Sequence, residues 1–515
     1  MALALSVSLL IIVGLIIYHD AYRVPFLFDD IQQILQNPRI QSLNWPWGFL
    51  ENTRRPILYA TLAFDLNRYG SNPFGFHIFN IVVHILAGVF LFLLIFKTCR
   101  FQKFSVLVRR DAVLLSLGAS LLWLSHPIQT QAVTYVIQRA ESLMGLFFLM
   151  SVYFSAQYLA SRKMAWVTAA GLAAVCSGLT KEVALALPLV VLLYDRAFFS
   201  RSLAEALRDH GRLYIVLSLT WAVMLYLYLT TQSEGHLTAG FGMKEMTPWL
   251  YAINQPRVIL HYLSLIFFPT QLVFYYDMPA MTDLALLIPQ ILLIVGVVLG
   301  FAVFFRSHLV TGFLGLCFFL ILAPSSSFIP IKDLIFEYRV YLSLACIAVM
   351  VVVGMHSLIC RWCPLRIQKF VFVFLIAGMV ALLGRSTMQR NQIYLSEEAL
   401  WKDVIRQQPW NSRAYNNLGE VAFRQGRLLE AKESFLISIS ANGQYAAVYA
   451  NVAVVLAEEG KFAQALAYAR RAIAVEPDFA VGYYNLGVIL NKMKKYDEAV
   501  PYFKKAKGLG FRNEF

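Results

Sequence analysis

Phe26-Leu27-Phe28-Asp29-Asp30 begins about ten residues beyond the first apolar run, Leu3 to Ile17. The pairing of those two stretches decides the fold. The apolar run suits a bilayer, and two carboxylates just outside one are costly unless they are used. Adjacent like charges also push each other's pKa apart. One can stay ionised as a base while the other hydrogen-bonds or holds a cation. Together they suggest a catalytic carboxylate in the first outer loop of a membrane transferase. Taken alone, the pair better suits the N-cap of a short helix over Ile31 to Gln36, and it is the rest of the chain that shifts the balance.

The rest of the chain favours the membrane. Of 515 residues, 59% are apolar and 14% charged, against roughly a quarter charged in an average soluble domain. Apolar stretches of about 20 residues recur, which makes the chain polytopic and all-α. The formal charge of +14 does not indicate nucleic-acid binding. Much of the Lys and Arg falls in short loops between apolar runs, where it sets topology. Leu3 to Ile17 has no basic segment before it and no small-residue cleavage site, so it reads as a retained span. The six cysteines lie in or beside apolar runs and imply no disulfide framework. Cys360 and Cys363 have CxxC spacing but no second pair to complete a zinc site.

Residues 19 to 75 form a long polar loop carrying Asp29, Asp30, Arg54, Arg55 and Asp65, with Trp45 and Trp47 suited to a membrane interface. Pro46 and Pro56 divide it, and short helices are expected near 28–37 and 56–68. Further spans are expected near 76–96, 111–125, 141–160, 164–180, 183–198, 213–231, 284–305, 309–323, 339–358 and 368–384. Residues 249–268 lie in the outer face without crossing. This gives about eleven crossings, within a range of 11–13, the N-terminus inside and the C-terminus outside. Residues 1–390 form this membrane domain.

After about residue 395 the sequence becomes polar and periodic. Leu418-Gly419, Val452-Ala453 and Leu486-Gly487 are 34 residues apart, as are Ala431, Ala465 and Ala499. Gly426 and Gly460 mark turns. A 34-residue helix-turn-helix period with small residues at close-packed positions is the tetratricopeptide pattern. Residues 395–515 are therefore an α-solenoid of about three repeats, near 411–443, 445–477 and 479–511.

The outer loops hold charges that a purely structural loop does not need. They are Asp29-Asp30 and Arg54-Arg55-Pro56, then His126 through Arg139 and Glu141, then Lys181-Glu182, then Lys332-Asp333 with Glu337-Tyr338-Arg339 and Tyr341. A carboxylate among cations at one depth suits transfer from an anionic lipid-linked donor. The cations hold the departing phosphate and the carboxylate takes the acceptor's proton. The bland alternative is pairing within each segment, Arg139 with Glu141 or Glu337 with Arg339. His77 and His84 flank Asn80 at helical spacing, and His84 suits an interhelical hydrogen bond. No nucleotide-binding loop or protease motif stands in a supporting context.

On these stretches the chain resembles the GT-C superfamily of polytopic glycosyltransferases. More narrowly, it resembles the transmembrane-and-tetratricopeptide O-mannosyltransferase family and its bacterial relatives. The similarity is carried by Phe28-Asp29-Asp30, Arg55-Pro56-Ile57, Asn72-Pro73 through His77, Asn80 and His84, His126-Pro127 through Arg139-Ala140-Glu141, Lys181-Glu182, and Glu337-Tyr338-Arg339-Val340-Tyr341-Leu342. The resemblance implies a catalytic acid in the first outer loop, Asp29 or Asp30 with Asp29 preferred. It implies a polyprenyl- or dolichyl-phosphate sugar as donor and a protein hydroxyl as acceptor, taken by the repeats. Donor-phosphate contacts fall among Arg55, Arg139, Lys181 and Arg339, supported by His77, His126, Glu141, Glu182, Glu337 and Tyr341. No cofactor is expected. Two carboxylates without a third ligand do not favour a divalent cation. The repeat array is shorter than in animal members, and no Asn-x-Ser/Thr sequon occurs. The missing sequon favours a bacterial inner membrane with a periplasmic site over the endoplasmic reticulum, its eukaryotic equivalent. The rival reading is a membrane-anchored repeat scaffold or a transporter of lipid-linked sugars.

Overall fold

The computed structural model describes residues 1–41, 53–231, 240, 243 and 246–511. Trp45, Pro46 and Trp47 lie outside the described residues. Among the described residues the chain is helical and contains no β-strand. It divides into two compact units, Met1–Leu272 with Pro279–Leu395, and Val273–Met278 with Ser396–Phe515.

In the first unit six helices are long and apolar enough to cross a bilayer: Phe74–Cys99, Val136–Ser161, Gly211–Thr230, Leu284–Ser307, Leu344–Trp362 and Gln368–Tyr394. Counting two bent pairs as one span each raises the number to eight. The apolar helices Ala2–Ile17, Met164–Gly178 and Leu309–Leu322 are shorter than the length that spans a bilayer at 1.5 Å per residue. Eleven crossings would require all three, so that count is not confirmed. Residues 249–268 form the helix Pro248–Phe267, which is not among the spanning candidates.

The bends matter for the site. Ala112–Ser125 and Pro127–Thr134 meet at 53°, where Pro127 lacks the amide that would continue the helix. Sequence reasoning places 126–138 in an outer loop. The structure instead turns it back into the bundle as short helical pieces, all buried except Gln138. The helix expected near 56–68 is Pro56–Tyr69, with Pro56 at its first turn. The one near 28–37 is a single turn, Ile31–Leu35, followed by Pro38–Gln41.

The second unit carries Glu397–Gln407 and then three helix pairs: Ser412–Arg424 with Leu428–Ala441, Ala446–Glu458 with Phe462–Val475, and Ala480–Lys492 with Tyr496–Gly508. The small residues of the period do what their size allows. Gly419 faces the Phe435 ring and Gly487 the Phe503 ring, so closely that a Cβ would stand 2.5 and 2.8 Å from ring carbons. Ala431, Ala465 and Ala499 are buried between helices. Gly426 and Gly460 turn each pair in the left-handed region at φ +76°, and Lys494 takes the same role in the third pair at φ +63°. The extended segment Val273–Met278 belongs to this unit. Asn411 Nδ2 donates to the Tyr275 carbonyl at 3.1 Å, the Asp277 amide donates to Gln408 Oε1 at 3.0 Å, and Phe274 meets Trp401 edge to face.

Candidate active site

The acidic pair follows a strained turn. Phe28 has φ +47°, a conformation that costs an L-residue about 1–2 kcal/mol and persists only where surrounding contacts impose it. Those contacts are on the next two residues. The Asp29 amide donates to the Tyr135 hydroxyl at 3.0 Å. The Asp30 carboxylate accepts from the Leu27 amide at 3.0 Å and the Ile137 amide at 2.8 Å. The two acids thereby differ. Asp30 is 1% exposed, and Asp29 is half-buried. Burial pushes the Asp30 pKa up to about 8, although the backbone amides pull the other way. At neutral pH Asp30 keeps its proton and serves as the clip that joins the first loop to the stretch before Arg139.

That clip has a pH dependence with a definite sign. The folded chain holds the Asp30 proton up to about pH 8, whereas an ordinary carboxyl releases it near 3.8. Between those values the folded state binds more protons, so its stability falls as pH rises. Hydrogen-exchange protection at Leu27 and Ile137, corrected for intrinsic rates, is expected to decrease from pH 5 to pH 8.5. It is expected to stay flat in Asp30→Asn. A flat wild-type profile would contradict the assignment.

The cations take different surroundings. Arg55 caps Pro56–Tyr69 and grips Glu182 with two bonds, Nη2 to Oε2 at 2.9 Å and Nε to Oε1 at 3.2 Å. Both partners are partly exposed, at 37% and 46%. Lys181 Nζ donates to Glu141 Oε1 at 2.7 Å and stands 4.7 Å over the Tyr338 ring. Arg339 is held by neutral groups: the Tyr251 hydroxyl at 3.2 Å and the carbonyls of Leu334 and Asp333, both at 2.8 Å. Tyr135 is within electrostatic reach of Asp29, Asp30 and Tyr338, and Arg55 is within reach of Tyr338. Contacts and electrostatic coupling thus link Arg55, Glu182, Lys181, Glu141 and Arg339 around Tyr338, and Tyr135 connects Tyr338 to the acids; Arg139 is likewise within electrostatic reach of Asp30.

Arg139 is placed differently. It is fully buried, with Nη2 donating to Asp65 Oδ2 at 2.6 Å and to the Phe76 carbonyl at 3.0 Å, and Nε donating to Asn80 Oδ1 at 2.6 Å. The Phe79 ring lies 4.2 Å from its guanidinium carbon. It ties Pro56–Tyr69 to Phe74–Cys99 and does not pair with Glu141. The supporting residues act as struts. His77 Nε2 meets the Val24 carbonyl at 2.8 Å, and His126 Nε2 meets the Ile266 carbonyl at 2.9 Å. The Tyr341 hydroxyl meets His84 Nδ1 at 2.9 Å, and its ring fills the space that Gly145 leaves. Glu337 is buried in the short turn Glu337–Val340. Sequence reasoning assigned no role to three partners: Asp65, Tyr135 and Tyr338. Asp65 was detectable, since it follows Leu58 and Leu62 on the buried face of its helix, and a charge there demands a partner.

The fold and site define a class: a helical membrane protein that carries tetratricopeptide repeats and presents a charged cluster beside its spans. Tetratricopeptide repeat models match residues 382–446, 446–479 and 480–509. Among curated proteins, the chain is similar to Protein O-mannosyl-transferase TMTC2 of Homo sapiens, 31% identical over 209 residues, covering 36% of this chain and 23% of that protein. It is also similar to Protein O-mannosyl-transferase TMTC4 of Mus musculus, 34% identical over 164 residues, covering 27% of this chain and 21% of that one. The chain spans about a quarter of the length of these relatives. They are the TMTC-like proteins that its motifs resemble.

Proposed function

We propose that the chain is an inverting membrane glycosyltransferase that moves mannose or a similar sugar from a polyprenyl-phosphate donor to Ser or Thr hydroxyls of an exported protein. The observation that carries this reading is the division of labour in the acidic pair. Asp30 is sealed, with both carboxyl oxygens accepting backbone amides, and Asp29, the less buried of the two, serves as the base. Asp29 takes the proton of the acceptor hydroxyl as its oxygen bonds to the anomeric carbon. The bond from that carbon to the donor phosphate breaks, and the polyprenyl phosphate leaves with both electrons. Attack from the face opposite the phosphate inverts the anomeric centre. Arg55, Lys181 and Arg339 stabilise the charge that develops on the leaving phosphate. Arg55 offers a planar fork to two phosphate oxygens once Glu182 releases it, and Lys181 offers a point charge. Arg139, committed to Asp65 and Asn80, is a positioning residue.

The acceptor protein is taken by the repeats, since stacked helical repeats generally present an extended binding surface. The site faces the periplasm if the membrane is a bacterial inner membrane. The test uses the full chain in nanodiscs with radiolabelled polyprenyl-phosphate mannose and a Ser/Thr-rich unfolded protein. Label is expected to appear on the protein, and chelation by EDTA is expected to leave the rate unchanged, because protein cations neutralise the phosphate. Absence of transfer from every polyprenyl-phosphate sugar supplied would reject the reading in favour of a scaffold.

A further inference from the structure

An apolar cavity of about 310 Å³ lies inside the first unit, between Phe74–Cys99, Arg139–Ser161, Leu187–Phe198, Leu309–Leu322 and Leu344–Trp362. It belongs to none of the contacts around Asp29. On Phe74–Cys99 its lining runs from Leu91 to Cys99, whereas the active-site struts His77 and Asn80 lie near the start of that helix. On Leu344–Trp362 it runs from Ala345 to Ser357. Twelve residues at 1.5 Å make that length about 18 Å. One leaflet of a hydrocarbon core of about 30 Å is about 15 Å thick. The cavity therefore matches the reach of one lipid chain through one leaflet.

Its end away from Asp29 is marked by charge. The lining residues Cys99, Phe104, Val108 and Phe198 each stand within two positions of a Lys or Arg: Arg100, Lys103, Arg109 and Arg110, and Arg196. Arg100, Lys103, Arg109 and Arg110 are exposed. Lys103 Nζ uses one donor on the Ala197 carbonyl at 2.7 Å, which leaves two for a ligand. The few polar lining groups gather at this same end. Thr98 and Tyr194 share a hydroxyl–hydroxyl bond of 2.7 Å, and His356 reaches Asp111 at 3.2 Å. An apolar slot one leaflet deep, opening beneath exposed cations, has the polarity of an anionic phospholipid.

We propose that this cavity binds an acyl chain of an anionic glycerophospholipid. Its phosphate rests on Lys103 and Arg109, at the membrane face opposite the acidic pair, while Arg110 is held by Asp111 through two bonds of 3.0 Å. The site is separate from the donor site proposed above and stands whether or not the chain transfers sugar. The bound chain fills space between helices that would otherwise lack van der Waals partners, and so braces the helix that carries Glu141 and the one that follows the Tyr338 turn.

The experiment uses the full chain in nanodiscs with phosphatidylglycerol that bears a diazirine in its acyl chain. After irradiation, crosslinks are expected on peptides containing Leu94, Val152 and Val349. Unlabelled phosphatidylglycerol is expected to compete at least tenfold better than phosphatidylcholine. Ala345→Trp with Val349→Trp is expected to lower crosslinking about tenfold. Lys103→Glu with Arg109→Glu is expected to erase the headgroup preference while leaving the crosslink positions unchanged. The wild-type map needs no variant, so the proposal is testable even if a variant fails to fold. Crosslinks confined to the outer faces of the helices would overturn it. So would equal competition by the two phospholipids, or displacement of the label by polyprenyl phosphate at lower concentration than by phosphatidylglycerol, which would make the cavity part of the donor site.

Discussion

Asp29→Asn is expected to lower turnover by about 10²- to 10⁴-fold, the usual contribution of a positioned proton acceptor, with little change in donor KM. The amide keeps the shape of the carboxylate and cannot take the hydroxyl proton. The prediction separates the two acids. Asp30 accepts two backbone amides and holds its own proton near neutral pH, so Asp30→Asn is expected to alter loop order and thermal stability first. Rates with purified variants and one polyprenyl-phosphate sugar decide the matter. Near-normal turnover in Asp29→Asn, together with a large loss in Asp30→Asn and unchanged melting, would reverse the assignment.

Removing the guanidinium of Arg139 is expected to cost about 3–5 kcal/mol of stability, because Asp65 would be left as a buried charge without its partner. Asp65 is 2% exposed and Arg139 fully buried, so water cannot replace the lost bonds. Arg139→Met is expected to lower the melting temperature sharply and to reduce folded yield. The paired replacement Arg139→Met with Asp65→Leu is expected to recover most of that loss, since an apolar pair of similar volume removes both desolvation costs. The same experiment tests the alternative role suggested by the sequence. A direct phosphate contact predicts a raised donor KM in Arg139→Met with little change in melting. That result would return Arg139 to the donor site beside Arg55, Lys181 and Arg339.

These two cases show where sequence reasoning reaches its limit. The resemblance singles out Asp29-Asp30 and the four cations as chemistry, and most of them do occupy one neighbourhood. Which acid is accessible depends on Ile137, 107 residues away from Asp30. Which arginine is a strut depends on Asp65, 74 residues from Arg139. A motif identifies residue types and order, and carries no information on which partner desolvates them. The His126 to Gln138 stretch is a further example. Its polar residues suggest an outer loop, yet Pro127 bends the chain inward and Gln129 finds the Tyr341 carbonyl at 3.2 Å inside the bundle.

Local chemistry is sufficient for what repeats along the chain, but not for the number of crossings, since three of the apolar runs form helices shorter than a bilayer's width. Apolar runs of bilayer length, the 34-residue period, the alanines and glycines at its close-packed positions, and Pro56 at a helix start are all set by neighbours a few residues away, so the chain declares them directly. Burial, ion pairing and the state of a proton depend on groups brought together from distant helices. Only the tertiary structure could seal Asp30 as a clip and make Arg139 a strut, because each outcome is decided by how much water and how much opposing charge the folded bundle leaves around the group.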